Sequence, residues 1–314
     1  RQMCIRDRYK INQTNTRHRK GSHEAEKIMK EIGVIDLMIT AHQHQTIIGN
    51  DFETVYVQAG QDAQELVHVK IKFKKRTNSF EKEDIESTVI NLSEFPEDQE
   101  LLETTYYDRK ALEHWSKDIV SENKVDLQVN GLEDLLSSPH PFIQLLHDSL
   151  HLAYVNNITC INVPKNGEKG LKGIVTNEDV YNAYPHPDKA IDITLRGHQI
   201  KKMLEYTYSY IQFEQNQLSM TIIDETLCTL WQGFDYEVDM SAPRFDRVNI
   251  KNIELDEKYR VTMTDYCYRN YRQYLEDESI LHSTYDRPMS SLIAEKLNQP
   301  DYYLKLDSNF SVAY

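Results

Sequence analysis

The chain has 314 residues, 39% of them apolar, and a formal net charge of −14. That apolar content supports real cores in roughly two domains, whereas the acidic balance lacks the basic field that a nucleic-acid polymer requires. No run of about eighteen apolar residues occurs, so no membrane span is read, and Cys4, Cys160, Cys228 and Cys267 are scattered without a Cys-x-x-Cys, which indicates neither a zinc ribbon nor a disulfide scaffold.

Residues 1–8, R-Q-M-C-I-R-D-R, show no apolar period and no targeting pattern. They read as a non-native junction, so residues 1–9 receive no element and the chain is expected to start inside a domain. Ser22 is placed to cap a short helix whose Ala25, Ile28, Met29 and Ile32 share one face, with Glu24 and Glu26 in its first turn. After Gly33, the apolar strand-like run from residue 35 ends abruptly in His42 and His44. A His-x-His at a strand end can offer two imidazoles to one metal, or one each to two adjacent metals. Helix, glycine, buried strand and then candidate ligands at the strand's carboxyl end is an α/β arrangement. His18 and His23 lie in a polar stretch and read as surface residues.

Two strands are predicted next, at residues 54–58 and 66–73, the second alternating as Val67, Val69, Ile71 and Phe73. Residues 74–86 read as a charged segment and 88–92 as strand-like. From 97 to about 122 the chain is helix-rich, with Leu101, Leu102, Tyr106, Leu112, Trp115 and Ile119 as its apolar side. A helix is predicted over 141–155, and 170–181 reads as a turn and helix start, with Thr176 and Asp179 in a capping pattern. A proline-stiffened loop, P-H-P-D at 185–188, leads into a strand, then an amphipathic helix over 198–211 and alternating strands near 233–240 and 259–263. Mixed helices and strands in this order suggest an α+β domain.

The strand ending in His-x-His resembles the end of the calcineurin-like metallophosphoesterase domain, whose last signature is Gly-His-x-His; Ala41 stands at the glycine. The resemblance implies that His42 and His44 each ligate one of two divalent ions, Zn, Mn, Fe or Co, which activate a bridging hydroxide for attack on phosphorus. That family's Asp-x-His, Gly-Asp-x-x-Asp and Gly-Asn-His signatures fall farther upstream than this chain reaches, so only a C-terminal remnant of the domain is expected and the chain alone is expected to be inactive.

The later half resembles the carboxyl-terminal domain of bacterial 5′-nucleotidases and 2′,3′-cyclic-nucleotide phosphodiesterases. The matching elements are G-I-V-T-N-E-D-V-Y at 173–181, I-T-L-R-G-H-Q-I-K-K-M-L-E at 193–205, G-F-D-Y-E-V-D-M at 233–240, Y-R-V-T-M-T-D-Y at 259–266 and D-S-N-F-S-V near the end. The implied fold class is α/β plus α+β. Residues 1–92 are read as the remnant of a four-layer metallophosphoesterase domain, 93–124 as a helical connector, and 125–314 as a 5′-nucleotidase C-terminal substrate-binding domain. In that family the base lies between two aromatic rings, an arrangement worth ~1–3 kcal/mol per base. The resemblance places the first ring at His186, with Asp188 beside it, and the second at Tyr266, after Asp265.

The activity implied is metal-dependent hydrolysis of nucleotide phosphate esters in nucleotide catabolism, with a small nucleotide as partner. The alternative is a catalytically weakened nucleotide-binding or structural relative. For that alternative speak the imidazole in place of a larger ring and the neutral Asn156, Asn157 and Asn162 where the family carries arginines. The compartment is read as either cytoplasmic or the cell envelope.

Overall fold

The structure is a computed structural model that describes residues 2–5, 25–41, 44–163, 169–209, 211–214, 217–220, 228–272, 275 and 279–313. It divides into two units, Arg1–Tyr106 and Tyr107–Tyr314.

In the first unit, strand β1 (Gln2–Ile5), helix α1 (Ala25–Ile32) and strands β2 (Leu37–Thr40), β3 (Ile47–Asp51) and β4 (Thr54–Gln58) build a sheet of order β1-β2-β4-β3. β1 and β4 flank β2 in parallel, and β3 turns back antiparallel on β4. The sequence reading gave residues 1–9 no element; the structure pairs Gln2–Ile5 with Leu37–Thr40, a strand too short to display a period of its own. Ala25 and Met29 of α1 pack with Ile35, Met38 and Ile47. Ile32, expected on the same face, is exposed in the last turn. Gly33 closes the helix at φ +61°, its N–H reaching the Met29 carbonyl. Ser22, Glu24, His18 and His23 lie outside the described residues.

Strands β5 (Glu65–Lys75) and β6 (Phe80–Asn91) form an antiparallel hairpin. The charged segment 74–86 is therefore largely strand rather than a break. Its carboxylates stand opposite the lysines and arginine of β5 and the turn, as in Lys72 with Asp84 and Glu86, and Arg76 with Glu81. Helices α2 (Gln99–Thr104) and α3 (Tyr106–Lys117) follow. The Asp98 side chain caps α2 by accepting from the Leu101 N–H. The helix-rich stretch stops at Lys117 rather than near 122, because Ile119 already belongs to a strand.

The second unit runs β7 (Ile119–Gln128), α4 (Leu132–Ser137), α5 (Pro141–Leu150), β8 (Ile158–Asn162), β9 (Gly170–Thr176), α6 (Asn177–Ala183), β10 (Lys189–Arg196), α7 (Gly197–Ser209), β11 (Ile211–Glu214), β12 (Gln217–Met220), β13 (Thr229–Gln232), β14 (Tyr236–Asp239), β15 (Val248–Ile250), β16 (Lys258–Thr264), α8 (Asp265–Tyr271), β17 (Ile280–Pro288), α9 (Met289–Leu297) and β18 (Phe310–Ala313). Its largest sheet has the order β13-β8-β16-β10-β17, with β8 and β16 parallel and the other pairs antiparallel. The smaller groupings are β15-β14-β18, β11-β12 and β7-β9. α5, α7 and α8 pack on the large sheet, and one apolar cluster from Val120 to Leu297 fills the unit.

Two predicted elements change here. Residues 170–176 are a strand rather than a turn, since glycines at 170 and 173 take positive φ within a ladder that pairs with β7. The helix after Pro141 ends at Leu150 instead of 155. β16 was read from alternation, yet Val261, Thr262, Met263 and Thr264 are all buried, as befits a central strand covered on both faces. Because β8 and β16 share one direction and β10 opposes them, Asn162, Thr264 and Lys189 gather at the same end of the sheet.

Candidate functional site

That end of the sheet is held by a short polar network. Thr264 caps α8 by accepting from the Cys267 N–H, and Asp265 opens the helix, where a carboxylate suits the helix dipole. Asp265 Oδ1 accepts from the Lys189 N–H at 2.9 Å, and its Oδ2 lies 3.2 Å from Arg269 one turn along. The loop between Ala183 and Lys189 is thereby fastened to the start of α8. Asp188 is buried in this loop. Its Oδ2 accepts from the Tyr184 hydroxyl at 3.0 Å, and its carbonyl accepts from the Met289 N–H at 2.8 Å. Burial pushes the Asp188 carboxyl above its usual range; the Tyr184 hydrogen bond opposes this and the Asp265 charge adds to it.

His186 stands exposed at the tip of the same loop, edge-on to Tyr184 with ring centroids 6.2 Å apart. Tyr266 is half-buried in the first turn of α8, a helical position and not a strand end. The structure thus brings His186, Asp188 and Asp265 to one loop–helix junction, with Tyr266 next to Asp265 on the helix.

Asn156, Asn157 and Asn162, which the resemblance sets where the family carries arginines, fall at the two ends of β8. Asn162 is buried at its carboxyl end, where Oδ1 accepts from Thr264 Oγ1 at 2.8 Å and from Cys267 Sγ at 2.9 Å, so it braces the α8 start. Asn156 precedes the strand and donates to Asp192 at the opposite end. Sequence reasoning also missed Tyr184 and Arg269. The i,i+4 spacing of Asp265 and Arg269 was a usable signal. Nothing local in the sequence ties Tyr184 to Asp188 rather than to the ring beside it.

The other candidate pair lies in the first unit. His44 follows β2 in a left-handed conformation, φ +55°, with an exposed side chain, while His42 lies outside the described residues. Ala41 is not among the positive-φ residues, so the glycine-to-alanine change costs nothing in backbone strain here. The segment is held from below by the buried Gln58, which donates to the Gln45 carbonyl at 2.8 Å and accepts from Thr40 Oγ1 at 3.2 Å. Among the described residues no group of three or more His, Cys, Asp or Glu side chains is placed to hold a metal ion. One imidazole does not retain a divalent ion, so the described residues do not by themselves fit a two-ion centre. Cys160, Cys228 and Cys267 are buried. Among the described residues no helix is long and apolar enough to cross a membrane.

Residues 119–274 match the family described as 5′-nucleotidase, C-terminal domain. No curated protein matches the chain. Among solved structures, a Staphylococcus aureus protein assigned as a 5′-nucleotidase, in complex with alpha-ketoglutarate, is similar at a TM-score of 0.76 and 21% identity, over 93% of this chain and 59% of that one. The 5′-nucleotidase precursor of Thermus thermophilus is similar at a TM-score of 0.54 and 16% identity, over 88% of this chain and 59% of that one. At these identities the likeness is one of fold, and the chain spans 59% of the length of each.

Proposed function

We propose that this chain, whose residues 119–274 belong to the 5′-nucleotidase C-terminal domain family, supplies the nucleotide-reading part of a phosphoric ester hydrolase acting on 5′-nucleotides or 2′,3′-cyclic nucleotides. The observation that carries the reading is the bond between the Lys189 N–H and Asp265, which joins the loop bearing the exposed His186 to the helix turn bearing Tyr266. A base stacks on rings carried by those two elements, because any base offers a π-face to an aromatic platform. Asp188 and Asp265 act here as positioning groups. Asp188 holds the loop through Tyr184, and Asp265 fixes the loop's distance from α8.

His42 and His44 are the residues we assign to two divalent ions, on the resemblance of the His-x-His segment. His42 lies outside the described residues, and no chemical step is assigned to the ions. The exposed imidazole of His186, where the family carries a larger ring, favours a second reading, a relative that binds nucleotides without turning them over.

The experiment titrates the chain with adenosine monophosphate and, separately, with 2′,3′-cyclic adenosine monophosphate, and assays phosphate release with Mn. Nucleotide binding that Tyr266→Ala weakens by about ten-fold supports base stacking. Unchanged affinity in that variant removes Tyr266 from the site. Chelator-sensitive release favours the hydrolase, and binding without release favours the second reading.

A further inference from the structure

The end of the large sheet opposite His186 and Tyr266 holds a cavity of about 440 Å³ lined among others by Val155, Asn156, Asn157, Lys258, Tyr259 and Arg260. Among the described residues no acidic side chain lines it, in a chain whose net charge is −14; Glu254, Asp256 and Glu257 of the adjacent turn stay outside its lining. Within it the Arg260 guanidinium is fixed. Nε donates to Asp192 Oδ1 at 2.9 Å and one terminal nitrogen pairs with Oδ2. Asp192 is buried, with 4% of its surface exposed, and also accepts from Asn156 Nδ2 at 2.9 Å.

This carboxylate neutralises one positive charge and uses one edge of the guanidinium. Nη1 of Arg260 then makes no hydrogen bond among the described residues, on a side chain that is 51% exposed. The Lys258 ammonium makes no ion pair among the described residues and supplies the unbalanced charge. A planar fork held in place and an exposed ammonium lining the same cavity match an oxyanion with several acceptors. Val155, 93% exposed, Ile253 and Tyr259 add an apolar rim.

We propose that this cavity is a binding site for a small organic phosphate, its phosphoryl group taken by Lys258 and Arg260 and its apolar body by Val155 and Tyr259. It is separate from the nucleotide-reading end of the sheet and stands whether or not that reading holds.

The test titrates the full chain calorimetrically with phenylphosphonate, which has no ester bond to hydrolyse, and with phenol as the uncharged control. The expected result is saturable binding of phenylphosphonate and none of phenol. Lys258→Ala should weaken it about ten-fold, and Tyr266→Ala should leave it unchanged. Lys258 is exposed and outside the core, so that variant keeps the fold, which thermal unfolding checks. The proposal is overturned if the parent shows no saturable binding, if Lys258→Ala binds as the parent does, or if Tyr266→Ala rather than Lys258→Ala abolishes the signal.

Discussion

His147 shows how one buried side chain couples this fold to pH. It sits on the covered face of α5 with Nδ1 2.7 Å from Thr159 Oγ1, and burial lowers its pKa to about 3. The folded pKa is depressed below the ordinary 6.5, so the folded state favours the neutral ring. The stability this gives is complete above pH 6.5 and is lost as pH falls from there toward about 3, at up to about 1.4 kcal/mol per pH unit. His147→Asn, which keeps a polar atom near Thr159, should flatten the fall in melting temperature between pH 6.5 and 4. Parallel profiles for parent and variant would show that another group sets the acid limb.

Asp188 has the opposite sign. Its folded pKa is raised, mainly by burial, so the protonated form is favoured and its contribution is lost as pH rises through the raised value. Asp188→Asn keeps an acceptor for Tyr184. It should gain in urea midpoint over the parent at pH 7, with the gap closing as pH falls below the usual carboxylate range. A gap independent of pH would refute the linkage. The resemblance singled out His186, Asp188, Asp265 and Tyr266, and what the structure adds is that they lie at one loop–helix junction. The group that binds Asp265 is an amide 76 residues away, and only the fold brings the two together.

At the scale of elements, local signals were read well and non-local ones poorly. Thr176 and Asp179 form both halves of a capping box on α6, as their spacing predicts, because everything such a cap needs lies within four residues. Thr176→Ala should lower stability by about 1 kcal/mol, measured by denaturant unfolding; a change below about 0.3 kcal/mol would mean that β9 holds the helix start without the cap. The strand over 170–176 escaped because its glycines imitate a turn, and β6 escaped because its charges are balanced across the hairpin rather than along the chain. Gly233 is a second non-local case. It takes φ +100°, and a Cβ there would stand 2.2 Å from the Asn157 carbonyl oxygen, so the turn into β14 depends on glycine for both conformation and space. Gly233→Ala should cost about 1–3 kcal/mol in strain before any clash is counted.

For the whole molecule, the composition pointed to about two domains, and the compact units part at Tyr106 and Tyr107, inside the 93–124 stretch read as a connector. The exact division was not legible because α3 begins at that junction with a sequence that continues the helical pattern of α2. Among the described residues, every buried apolar residue of the second unit lies between Val120 and Leu297, so that unit holds its own apolar interior. Residues 107–314 expressed alone should therefore unfold in a single cooperative calorimetric transition; a broad, heatless melt would show that the first 106 residues are needed to fold it. The same piece carries the loop–helix junction, which allows the stacking hypothesis to be tested without the His-x-His segment. Tyr266→Ala in 107–314 should weaken nucleotide binding by ~1–3 kcal/mol, and His186→Phe should strengthen it, since a larger and less polar ring is the better platform. Phenylphosphonate affinity is the internal control: equal losses for both ligands in Tyr266→Ala would mark a folding defect, and a nucleotide affinity unmoved by either substitution would place the base elsewhere.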